Sequence, residues 1–147
     1  MPFRLWETRA LERFHLHVQG YTLGLSRGPF SLVKVHGGFA FQEPQGRTLK
    51  RALLQGEDPR RLLLSTLELM HQISQKGMKH HDFQWENILV DSWTLRGWTL
   101  VETNMSMEER FYRKIEYAQI PLDLKRVCLR IWSDISNFSP PFECFFP

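Results

Sequence analysis

The stretch "KHHDFQWENILVD", residues 79–91, gathers two adjacent histidines, an aspartate, an asparagine and an apolar run into thirteen positions. Groups able to move protons or hold cations come first, and the β-formers Ile88, Leu89 and Val90 follow at once. Three readings of the polar half compete. A zinc site would draw on His71, His80 and His81. Adjacent residues point apart in a helix or a strand, however, and no Cys or second His pair stands at ligand spacing. A structural loop would instead use Asp82 and Asn87 to bond backbone groups after a helix. The third reading depends on the order of the residues as well as their type, and so on what flanks them.

Upstream lies the clearest helix of the chain, "DPRRLLLSTLELMHQISQKG". Asp58 suits an N-cap, Pro59 the first helical position and Gly77 the C-terminal stop. Its apolar face is Leu63, Leu67, Met70 and Ile73, widened by Leu62, Leu64 and Leu69. Downstream, residues 87–90 and 98–102 read as two paired strands, with "DSWTLRG" as the connecting loop. Ser106 with Glu109 forms a capping box for a helix to about Glu116. A last helix, from Asp123 to about Phe138, carries Leu124, Val127, Cys128, Ile131, Trp132 and Ile135 on one face. Near the start, Leu5, Trp6, Ala10, Leu11, Phe14 and Val18 fall at helical spacing, and Gly20 is the expected stop. Short strands follow, the last over residues 39–43 before Pro44, and then a short helix over about residues 48–54.

Bulk properties bound the function classes. The chain has 147 residues, enough for one domain with one sizeable core. Its net charge is +3, from 19 basic and 16 acidic residues without a like-charge run, so a nucleic-acid partner is not expected. Cys128 and Cys144 form neither a ligand spacing nor a disulfide framework and suit a reducing compartment, one in the core and one in the tail. No apolar run reaches the length of a membrane span, and "MPFRLWETRALERF" has no uninterrupted apolar region, so a cytoplasmic protein is expected. The aromatic tail "SPPFECFFP" is a place where a protein partner could dock.

The order now matters. A loop His, an Asp one residue on, four residues, an Asn and then a strand make the pattern H-x-D-x-x-x-x-N. The spacing has a physical sense: the Asp accepts a proton from an attacking hydroxyl, while the Asn, five positions on, holds a cation that bridges phosphates. His80, Asp82 and Asn87 occupy the three positions, and "GWTLVE" ends the next strand in an acid, Glu102.

The segment "MKHHDFQWENILVD" resembles the protein-kinase-like superfamily, closest to the bacterial lipopolysaccharide core-sugar kinases and the aminoglycoside phosphotransferase group. "FAFQEPQGRTL" is similar to the hinge of such enzymes, which places Glu43 at the cofactor, and "ETRALERFHLHVQG" to the helix with the ion-pairing Glu, making Glu7 the candidate and Glu12 the reserve. The resemblance implies an α+β, kinase-like single domain: a reduced N-lobe and hinge to about residue 45, a helical C-lobe over about 46–138, and the tail at 139–147. It implies ATP and Mg2+ as cofactors, Asp82 and His80 as catalytic residues, Asn87 and Glu102 as metal ligands, and a sugar or other small hydroxyl compound as acceptor. Two departures stand out: no Gly-rich phosphate loop or ATP-binding Lys precedes the Glu-bearing helix, and Glu102 replaces the usual Asp. Those departures keep open a second implication, a catalytically inactive, pseudokinase-like binding module or a truncated kinase relative.

Overall fold

The structure, a computed structural model, describes residues 2–141, with side chains from residue 9 onward. It is a mixed α+β arrangement in the order α1 (Pro2–Thr22), β1 (Ser31–Val35), β2 (Gly38–Gln42), α2 (Leu49–Leu54), α3 (Pro59–Gln75), β3 (Ile88–Leu89), β4 (Thr94–Leu95), α4 (Met107–Glu116) and α5 (Leu122–Ile135). β1 and β2 form an antiparallel hairpin in the register Ser31↔Gln42 to Val35↔Gly38, and α1 lies along β2. The remaining helices pack together, α3 and α4 each against α5.

α3 follows the sequence pattern closely. The Asp58 carboxylate accepts from the Arg60 amide, Pro59 sits in the first turn, and Gly77 takes φ +75° just past the end. The Gly77 and Met78 amides donate to the Ser74 and Ile73 carbonyls, so two orphan carbonyls are satisfied. Leu62, Leu63, Leu69, Met70 and Ile73 are buried, whereas Leu64 is exposed. Each fully buried Leu or Ile contributes about 1.5–3 kcal/mol relative to exposure.

α1 differs from expectation in two ways. It runs through Gly20 to Thr22, and the stop falls at Gly24, which has φ +78°. The Leu25 amide donates to the Gly20 carbonyl and the Gly24 amide to that of Tyr21, the paired bonds of a Schellman ending. Gly20 is required for a different reason: a Cβ there would lie 2.6 Å from Ser26 Oγ and 3.0 Å from the Trp98 ring. The buried face of α1 runs through Ala10, His17 and Gly20, while Val18 stands at the rim. His17 Nε2 bonds the Arg27 carbonyl at 3.1 Å, and its ring packs on Phe30 and Phe41.

The core gathers Phe83, Trp85, Trp98, Phe111, Tyr112 and Trp132 with the aliphatic faces of α2 and α3. Phe111 and Trp132 rings meet at 4.3 Å, and Trp132 Nε1 donates to the Glu108 carbonyl at 3.0 Å, joining α5 to the first turn of α4. Ser106 caps α4 by accepting from the Glu109 amide. α5 buries Cys128, Leu129 and Trp132 and leaves Val127 exposed. Burial pushes the Cys128 thiol up to about 12, so it behaves as a small apolar side chain. Cys144 and the aromatics of residues 142–147 lie outside the described residues. No described helix is long and apolar enough to cross a membrane.

The second hairpin is tighter than expected. Ile88 pairs with Leu95 and Leu89 with Thr94, so residues 90–93 make the turn and residues 98–102 form no strand. Trp93 closes the turn at φ +50°. β4 therefore starts earlier in the chain, and the residues expected to continue it line a cleft.

Candidate functional site

After α3 the chain crosses the molecule in the turns of residues 79–87. His80, 1% exposed, anchors this segment from beneath. Its Nε2 donates to the Arg96 carbonyl at 2.8 Å, and its Nδ1 accepts from the Asp82 amide at 3.1 Å. Those two bonds fix the tautomer as Nε2–H. The ring also packs on Trp98 with centroids 4.5 Å apart. Burial pushes its pKa down to about 4, so His80 is a neutral brace.

Asp82 is half-buried and tied from several sides. Asn87 Nδ2 donates to the Asp82 carbonyl at 2.9 Å and to Oδ2 at 3.1 Å. Gln84 Nε2 stands 3.3 Å from both carboxylate oxygens, and Arg110 Nη1 of α4 is 3.6 Å from Oδ1. The Gln84 Oε1 atom is buried without a partner. Asn87 is held in turn by its backbone: its amide donates to the Gln84 carbonyl, and its carbonyl accepts from the Arg96 amide at 2.9 Å. The loop thus presents one carboxylate in a fixed direction, with a guanidinium beside it.

Gly97 follows directly, at φ +73°. A Cβ on it would lie 2.5 Å from the Asn87 side chain, so the amide of Asn87 fills the space any side chain would need. The Gly97 amide donates to Glu43 Oε1 at 3.0 Å, drawing a second carboxylate from the end of β2 to this point. Glu43, Asp82 and residues 97–101, together with Arg9, Glu12 and Arg13 of α1, line a cleft of about 690 Å³.

The structure brings His80, Asp82 and Asn87 together, with Glu43 joining through Gly97. Glu12 lines the same cleft. The Glu7 side chain lies outside the described residues. Glu102 stands apart: it is exposed, does not line the cleft and makes no hydrogen bond or ion pair with a described residue. The cause is the short hairpin, which sets Arg96 and Gly97, not an acid, beside Asn87. Among the described residues no group of three or more His, Cys, Asp or Glu side chains gathers to hold a metal ion, and His71 is exposed on α3. The expected pair of Asn87 and Glu102 therefore does not fit a magnesium ion here.

Four participants escaped the sequence pattern. Arg110 carried no signal beyond its place in a helix, and Gly97 looked like a hairpin glycine. Arg9 and Arg13 lie outside the apolar positions that mark α1 as a helix. Only the spacing of four residues, which puts the last two on one side of α1, pointed to a common role. No family model, no curated protein and no solved structure matches the chain.

Proposed function

We propose that this protein is a kinase-like phosphotransferase, transferring a phosphoryl group from ATP to a hydroxyl of a sugar or other small molecule. The observation that carries it is the fixed Asp82 carboxylate at the wall of the cleft, aimed by Asn87 and braced by a neutral His80. In the reaction the acceptor oxygen forms a bond to phosphorus as its proton passes to Asp82, and the bond from phosphorus to the ADP oxygen breaks. Among the described residues, the cations lining the cleft or flanking Asp82 that could offset the developing charge are guanidiniums, of which Arg110 already sits by Asp82. In the family it resembles the donor is bound with magnesium, and the acceptors include core sugars of lipopolysaccharide. A cytoplasmic setting, where ATP is supplied, suits the reading.

A second reading, a pseudokinase-like module that binds without turnover, is favoured by one specific feature. Gly97 stands where the hairpin meets Asn87, and Glu102 is in solvent. One experiment separates the two. The full chain is incubated with ATP and a panel of free monosaccharides, and ADP release is followed. Phosphoryl transfer requires acceptor-dependent release that falls at least about 100-fold in Asp82→Asn, the usual scale for losing a general base. No release from the native chain, with ATP or a sugar still raising its melting temperature, assigns the binding module.

A further inference from the structure

Arg9 and Arg13 stand one helical turn apart on α1 and both line the cleft that Asp82 lines from the loop. Among the described residues neither guanidinium has an ion-pair partner, and Arg13 Nε is buried without a hydrogen-bond partner. Leaving a buried charged donor unsatisfied costs free energy, and a ligand that supplies the missing acceptor recovers it. The carboxylates of the cleft do not supply that acceptor. Glu43 is committed to the Gly97 amide, Asp82 to Asn87, Gln84 and Arg110, and Glu12 pairs with neither arginine. Two planar guanidiniums on one face offer several forked donors, a match for the oxygens of phosphate groups more than for a single carboxylate.

We propose that Arg9 and Arg13 form an anion subsite that holds the phosphate groups of the cleft's ligand, with the ligand's hydroxyl end toward Asp82. Taking a phosphate ester as that ligand rests on the phosphotransferase reading; the subsite itself rests on the two arginines. This placement gives α1 the phosphate-holding task that a Gly-rich loop and a lysine carry in the family the catalytic loop resembles. The two guanidiniums on α1 and the carboxylate on the loop also set the ligand's direction, phosphates toward Arg9 and Arg13 and hydroxyl toward Asp82.

The test titrates inorganic pyrophosphate into the full chain by calorimetry at low ionic strength, where charge pairing is least screened. Arg9→Gln and Arg13→Gln should each weaken binding about tenfold, the loss of one charge-assisted contact, and the double variant should abolish it. Arg13→Lys should recover part of the affinity, since the charge returns without the fork. Asp82→Asn should leave pyrophosphate binding in place even where it removes transfer, so failure of the subsite and failure of the phosphotransferase reading give different results. Lys114→Gln, in a separate basic hollow beside Arg113 and Tyr117, should change nothing. Binding that survives in the double variant, is lost in Lys114→Gln, or is absent from the native chain overturns the proposal. Circular dichroism of each variant separates lost binding from lost folding.

Discussion

Gly97 and Asn87 share one volume, and neither can change alone. A methyl at residue 97 meets the Asn87 side chain at 2.5 Å in a backbone conformation, φ +73°, that a side chain disfavours. Left-handed backbone and overpacking together put the cost of Gly97→Ala at about 2–5 kcal/mol, measurable as a lower urea midpoint. A milder change, within about 0.5 kcal/mol, would show that Asn87 is free to move and that the carboxylate is not fixed. His80 makes the same loop sensitive to acid. Its folded pKa of about 4 lies below the ordinary 6.5, so the unfolded chain binds the extra proton between those values. The stabilisation is complete above pH 6.5 and is lost as pH falls toward 4, on the order of 3 kcal/mol in all. His17, held low mainly by burial, works in the same direction. Unfolding free energies from pH 7.5 to 4.5 should fall more steeply in the native chain than in His80→Gln, and parallel profiles would refute the assignment. At this scale the sequence was informative where chemistry is local: within the H-x-D-x-x-x-x-N spacing, His80 and Asn87 each bond to Asp82. It was uninformative for Arg110, which reaches Asp82 only because α4 and the loop meet in three dimensions.

Among the elements, the helices with capping chemistry were legible and the short strands were not. Asp58, Pro59 and Gly77 bounded α3, and Ser106 marked the start of α4, because caps act through neighbours in the chain. Ser106→Ala should therefore cost about 1 kcal/mol, seen as a lower melting temperature, without moving the site's carboxylate. A loss well beyond 2 kcal/mol would mean that the cap also fixes Arg110 and Trp132 through the Glu108 carbonyl. The second hairpin was misplaced because apolar residues continue through Trp98, Leu100 and Val101; Trp98 packs on α1 at Gly20, and Leu100 and Val101 are exposed along the cleft. The buried stripe of α1 shifted by one residue for a similar reason. His17 reads as polar, but its carbonyl partner at Arg27 and the rings of Phe30 and Phe41 make its burial inexpensive.

Across the whole molecule, the α1 hairpin unit and the helical remainder meet along a narrow seam. Trp98 Nε1 donates to Ser26 Oγ at 2.7 Å, the Leu95 amide to the Leu25 carbonyl at 2.8 Å, and Lys76 to the Leu23 carbonyl. The cleft opens on the same boundary, so its lining depends on this joint. Trp98 has a part in all of it: its ring touches His80, its indole nitrogen holds Ser26, and it lines the cleft. That position makes it a natural optical gauge. A protonated imidazole quenches an indole it touches, so Trp98 emission should drop as His80 gains its proton. A ligand in the cleft should shift the emission wavelength by changing the polarity beside the buried ring. The difference spectrum between the native chain and Trp98→Phe isolates this one fluorophore, and it lets light intensity follow acid opening and ligand entry in a single cuvette.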